Sequence, residues 1–131
     1  MTRREVVERA RSFVGCAFRP QGRDPTIGLD CIGLVVAVFQ IEPRQVRRNY
    51  RLGGPHGGEL ETELARFFRR VTAPQAGDVL LCEIARTHTH LAVHCGRSFV
   101  HAHAGIRRVV ETPGEPGWPI TAFRHLQLIQ D

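Results

Sequence analysis

The sequence predicts an α+β fold in which helices come first and an antiparallel sheet packs against them. Three observations predict it. Apolar residues recur at helical spacing up to Arg70. After Pro74 the apolar residues fall instead in about five short runs, each bounded by Gly, Pro or a basic turn. A length of 131 residues suits one domain, residues 1–131, able to bury about two-thirds of its unfolded surface without disulfide or metal.

The elements follow in order. Thr2 with Glu5 forms a capping box, and Val6, Val7, Ala10, Phe13 and Val14 make the apolar stripe of a first helix ending at Gly15. Cys16–Gly28, with Pro20, Gly22 and Pro25, reads as an irregular loop. Gly28–Phe39 follows, and from Ile32 onward it is apolar or Gly; the run is too long for most strands and too short for a membrane span, so it predicts a helix buried on all sides. That helix ends near Gln40 because Pro43 forbids continuation. Arg44–Gly58, with Arg47, Arg48, Tyr50 and Gly53-Gly54-Pro55, reads as a surface excursion. Leu60, Leu64, Phe67 and Phe68 predict a third, amphipathic helix over Glu59–Arg70. The predicted strands are Val79–Glu83, His90–Cys95, Ser98–Ala102, Ile106–Glu111 and Phe123–Ile129. Trp118 reads as a core anchor beneath a Pro-rich loop, with a place at a cleft edge as the alternative.

The formal charge of +5 predicts attraction to polyanions, with nucleic acid and bacterial cell wall both candidates. All 18 basic residues are Arg, scattered along the chain with no Arg-rich helix or aromatic-basic interleaving, which argues against nucleic acid. The N-terminal residues form no apolar signal region or anchor, so the expectation is synthesis in the cytoplasm and no membrane association. Cys16, Cys31, Cys82 and Cys95 form no Cys-x-x-Cys pair and read as thiols.

Cys31 falls at the N-terminal tip of the buried helix. There, unpaired N–H groups and the helix dipole would stabilise a thiolate, lower its pKa, and offer donors to an oxyanion. The alternative is a small buried hydrophobe. The histidines favour the nucleophile. His88, His90 and His94 share one face of a strand by alternation, His101 and His103 share one face of the next, and a Gly96-Arg97 hairpin brings His90 near His101. Such a cluster also invites a zinc reading, but neither an HExxH helix nor a Cys-x-x-Cys hook accompanies it, and Asp78 and Glu83 are the only carboxylates nearby. The reading adopted is a metal-free and cofactor-free one, with a histidine acting as base to Cys31 and a second histidine orienting the first.

Four segments, in order, carry a resemblance: Gly28-Leu29-Asp30-Cys31-Ile32-Gly33-Leu34-Val35, Ala76-Gly77-Asp78-Val79-Leu80-Leu81, His90-Leu91-Ala92-Val93-His94-Cys95-Gly96 and Phe99-Val100-His101-Ala102. Together they resemble the papain-like NlpC-type cell-wall cysteine peptidases. The resemblance implies a papain-like fold, Cys31 as nucleophile, His90 as general base and His101 as the residue that orients it. It also implies hydrolysis of amide bonds in peptidoglycan stem peptides through an acyl-enzyme, without metal.

The sequence departs from that family at three positions. The Ser that follows the nucleophile, which helps hold a substrate amine, is Ile32 here, and the phage-associated branch also carries an apolar residue there. Phe18 stands where many members have a Tyr supporting the oxyanion, and His94 replaces the usual strand Tyr. Loss of one such donor costs about 10²-fold or more in rate. Gln21 and Tyr50 are the candidate substitutes, and Asp30 either caps the helix or meets the substrate amine. A compact version without signal or wall-binding repeats resembles the wall peptidases of phage tails and gene transfer agents, with tail-tip proteins as partners and delivery to the envelope within a particle. The alternative is a catalytically weakened structural or wall-binding tail module of the same fold.

Overall fold

The computed structural model describes residues 1–46, 57–85 and 88–130. Arg47, Arg48, Tyr50 and Gly53-Gly54-Pro55 of the expected surface excursion lie outside the described residues. The order is α1 (Arg3–Ser12), β1 (Arg23–Asp24), β2 (Gly28–Leu29), α2 (Cys31–Phe39), a 3-10 turn at Pro43–Gln45, α3 (Gly57–Leu64), β3 (Phe68–Val71), β4 (Val79–Ala85), β5 (His88–His94), β6 (Ser98–His103), β7 (Arg108–Pro113) and β8 (Ile120–His125). No described helix is long and apolar enough to cross a membrane.

The capping box forms as expected: Glu5 N–H donates to Thr2 Oγ1 at 3.1 Å, and Thr2 N–H to the Glu5 carboxylate at 3.4 Å. Arg9 of α1 donates to the carbonyls of Ala37 and Val38, each at 2.8 Å, so it satisfies the end of a helix whose last turn carries no basic residue of its own. Gln40 closes α2 in the left-handed region, and Ile41 N–H returns to the Val36 carbonyl.

Among the described residues the main sheet has six strands, all adjacent pairs antiparallel, in the order β3-β8-β4-β5-β6-β7. Alternation sorts its side chains. Val79, Leu81, Leu91, Val93, Val100, Ala102, Val109 and Phe123 join α1, α2 and α3 in the main core. Leu80, Cys82, Ala92, Phe99 and Ala122 make a smaller cluster of opposite parity.

Three expectations change. The third helix ends at Leu64 rather than Arg70, because Phe68 enters the sheet opposite His125 and packs edge-on against Phe39 at 5.1 Å. That aromatic cluster, together with a ladder partner for each residue from Phe68 to Val71, outweighs one more helical turn. The last strand begins at Ile120, opposite Cys82, and ends at His125 rather than Ile129. The fourth expected strand starts at Arg108 rather than Ile106, because Arg107 adopts a φ of 65° and belongs to the turn.

Candidate active site

The loop between α1 and α2 is more regular than its composition predicts. β1 and β2 pair Arg23 with Leu29 and Asp24 with Gly28, and Asp24 Oδ1 accepts from both Thr26 N–H and Thr26 Oγ1 to close the turn. The hairpin delivers Asp30 to the α2 N-cap. One Asp30 oxygen accepts from Gly33 N–H and Arg23 Nη1, each at 2.8 Å, and the other accepts from Gln21 N–H at 2.9 Å. The loop lies so close to the first turn of α2 that a Cβ at Gly33 would run into the Gly22 carbonyl.

Cys31 is therefore the first residue of α2, held against the sheet. A cleft of about 310 Å³ opens over it, lined by Phe18, Asp30, Cys31, Ile84, His88, His90, His101, Ala102, His103, Ala104, Gly105 and Trp118. The expectation of a lowered thiol pKa is overturned. Cys31 is only 2% exposed, and burial, reinforced by the Asp30 charge, pushes the thiol up to about 12. Backbone N–H groups of Leu91 and Ile32 and the Arg23 charge pull the other way but are outweighed. The Leu91 contribution sets the sulfur against the backbone immediately after His90.

His90 Nε2 lies 2.9 Å from His101 Nδ1, and His101 Nε2 lies 3.0 Å from Thr112 Oγ1. Burial, and then the neighbouring imidazoles, lower both His90 and His101 to about 4, so both rings are neutral at neutral pH. The thiol and the His90 ring share the cleft without a hydrogen bond between them. Both histidine contacts are diagonal. The β5–β6 ladder pairs only Val93 with Val100 and His94 with Phe99; beyond these the strands part, and the cleft occupies the opening.

The remaining sequence candidates divide. Phe18, Asp30, His88 and His103 line the cleft, with His103 Nδ1 accepting from Ile106 N–H at 3.0 Å. Gln21 does not: its N–H is held by Asp30 and it borders a separate depression with Arg19 and Arg23. His94 does not either. It is buried at the far end of β5, its Nδ1 has no hydrogen-bond partner, and its N–H donates to the Asp78 carbonyl. It lies at the other end of β5 from His88 and His90 and outside the cleft lining. Trp118 corrects the expectation of a core anchor, since it is 36% exposed and forms part of the cleft wall.

Among the described residues no group of three or more His, Cys, Asp or Glu is arranged to hold a metal ion. Asp78 is fully buried, with Arg3 and Arg124 on its carboxylate and Gln75 N–H donating to it. Thr112, Ile84 and Arg23 were missed by the sequence reading. Thr112 falls one residue past the expected end of its strand; the β6–β7 pairing, which sets it opposite Phe99, would have found it.

Among solved structures, the NlpC/p60 domain of the peptidoglycan hydrolase SagA superposes with a TM-score of 0.65 over 92% of this chain and 97% of its own, at 21% identity. The fold is that of the NlpC/p60 domains. NlpC2 and NlpC1 from Trichomonas vaginalis each superpose with a TM-score of 0.66 at 15% identity, over 91% of this chain. The chain corresponds to 44% and 42% of those two proteins, less than half their length. No family model matches the sequence, and no curated protein does. The likeness to NlpC/p60 domains is one of fold, papain-like and α+β.

Proposed function

We propose that the chain is a cysteine peptidase that hydrolyses amide bonds in peptidoglycan stem peptides, acting as one domain over residues 1–131. The observation that carries the reading is the cleft itself, where the thiol at a helix N-terminus shares one opening with His90 and His101, and Thr112 contacts His101 in turn. The NlpC/p60 fold, present in a peptidoglycan hydrolase, supports the substrate class.

In this reading Cys31 Sγ attacks the scissile carbonyl carbon while its proton passes to His90 Nδ1, the ring nitrogen not engaged with His101. Because the free protein holds a thiol and a neutral imidazole, proton transfer accompanies bond formation rather than preceding it. The oxyanion meets the Cys31 N–H at the start of α2, the Gly33 N–H being already held by Asp30. His90 then protonates the departing amine, leaving a thioester on Cys31. A water gives a proton to His90 and attacks the thioester, releasing the acid and restoring the thiol.

Delivery to the envelope as part of a phage-tail or gene-transfer-agent particle, with tail-tip proteins as partners, belongs to the same proposal. It is supported by the apolar Ile32 after the nucleophile. A second reading, a weakened wall-binding module, is favoured by one observation: Phe18 presents a ring without a hydroxyl to the cleft.

Purified sacculi incubated with the protein, followed by mass spectrometry of the soluble products, test both. Release of stem-peptide fragments by the wild type, abolished in Cys31→Ala and His90→Ala, is the expected result. Full release by Cys31→Ala would overturn the peptidase reading, and wall binding without release would favour the module.

A further inference from the structure

We propose that Thr112 is a positioning residue that sets the proton register of the histidine pair, so that His90 presents a bare Nδ1 to Cys31. This deepens the peptidase reading and rests on it. Two registers fit the observed contacts of 2.9 Å and 3.0 Å. In the first, His90 Nε2–H donates to His101 Nδ1 and His101 Nε2–H donates to Thr112 Oγ1; His90 Nδ1 is then an acceptor. In the second, Thr112 Oγ1–H donates to His101 Nε2 and His101 Nδ1–H donates to His90 Nε2; His90 Nδ1 then carries hydrogen and cannot take a proton from sulfur. The end of the chain at Thr112 therefore decides what the other end can do.

The surroundings select the first register. His101 is 4% exposed and its single N–H finds a protein acceptor in either register, His90 Nε2 or Thr112 Oγ1, so the choice falls to the two ends of the chain. Thr112 is itself only half-buried, so its hydroxyl proton can turn to solvent. At the cleft end the first register leaves His90 Nδ1 an acceptor in the opening that also holds the Cys31 thiol. The second leaves an N–H donor there, with no lone pair to receive the thiol's proton. The diagonal placement of Thr112 relative to His101, opposite Phe99 on the edge strand β7, holds the hydroxyl on the ring.

Nitrogen-15 NMR of histidine-labelled full-length protein reads the register directly. At neutral pH both His90 and His101 are expected to carry hydrogen on Nε2 with Nδ1 bare. Thr112→Val, which keeps shape and removes the acceptor, is expected to populate Nδ1–H at His90 and lower kcat on sacculi or a stem peptide about 2- to 10-fold, with KM little changed. Thr112→Ser is expected to restore both. A protonated His90 Nδ1 in the wild type overturns the proposal, as does a Thr112→Val protein with unchanged register and kcat. Because the spectra need no turnover, failure of the peptidase reading is separable: an inactive wild type with the expected register, lost in Thr112→Val and regained in Thr112→Ser, removes the peptidase and keeps the role of Thr112. Should Thr112→Val fail to fold, the wild-type spectrum and Thr112→Ser decide.

Discussion

Replacing Asp30 with Ala tests how the nucleophile's helix is anchored. The carboxylate caps Gly33 N–H, holds Gln21 N–H and pairs with Arg23, whose side chain is 5% exposed. Loss of an N-cap costs about 0.5–2 kcal/mol. Removing one partner of a buried pair costs about 3–5 kcal/mol, because the surviving charge is left uncompensated. Both losses come from one carboxylate and do not simply add, so Asp30→Ala is expected to lose about 3–5 kcal/mol. Asp30→Asn retains a capping oxygen and loses only the charge, with an expected loss of about 1–3 kcal/mol. Urea unfolding followed by circular dichroism, with m-values compared, measures both. In a cycle with Arg23→Ala, the double variant should be more stable than the sum of the singles implies. An Asp30→Ala protein within about 1 kcal/mol of wild type, or strictly additive singles, would refute the claim that this ion pair anchors the loop to α2.

Stability should also fall on mild acidification. Above about pH 6.5 neither the folded nor the unfolded chain protonates His90 or His101; between there and about pH 4 only the unfolded chain takes up the protons. Each such proton lowers folding stability by about 1.4 kcal/mol per pH unit across that window. Urea midpoints at stepped pH measure the slope, which His101→Gln should flatten; a slope unchanged in that variant would count against the lowered pKa. Asp78→Ala should cost about 3–5 kcal/mol, because it strands Arg3 and Arg124 around an empty site, whereas conversion of an exposed carboxylate such as Glu83 should cost under about 0.5 kcal/mol. Thermal unfolding of the two variants makes that comparison.

Much of the fold was legible because the strongest signals are local. The capping box at Thr2 and Glu5 and the unbroken apolar run after Asp30 specify α1 and α2 without help from the rest of the chain. Strand ends were less legible because their partners set them. Phe68–Val71 has helical spacing behind it and becomes a strand only because β8 arrives alongside, some fifty residues later in sequence. Likewise Ile120 follows a Pro-rich stretch that reads as loop, yet Cys82 across the ladder recruits it.

The site divides along the same line. Cys31 at a helix tip, and His90 and His101 on neighbouring strands, follow from periodicity and hairpin order. The charge state does not, because it depends on what covers the sulfur. At the helix N-terminus that should favour a thiolate the sulfur is buried and has the Asp30 charge beside it, and these outweigh the backbone N–H groups and the Arg23 charge that favour the thiolate. Alternation alone would also have misplaced His90, whose parity matches Ala92 in the smaller cluster rather than Leu91 in the helix-side core. His90 reaches the same cleft as Cys31 because the β5–β6 ladder stops after two pairs, and that early parting leaves room for a ring-to-ring contact. A sheet paired along its full length would fill this opening with backbone hydrogen bonds; the site exists where the sheet gives them up.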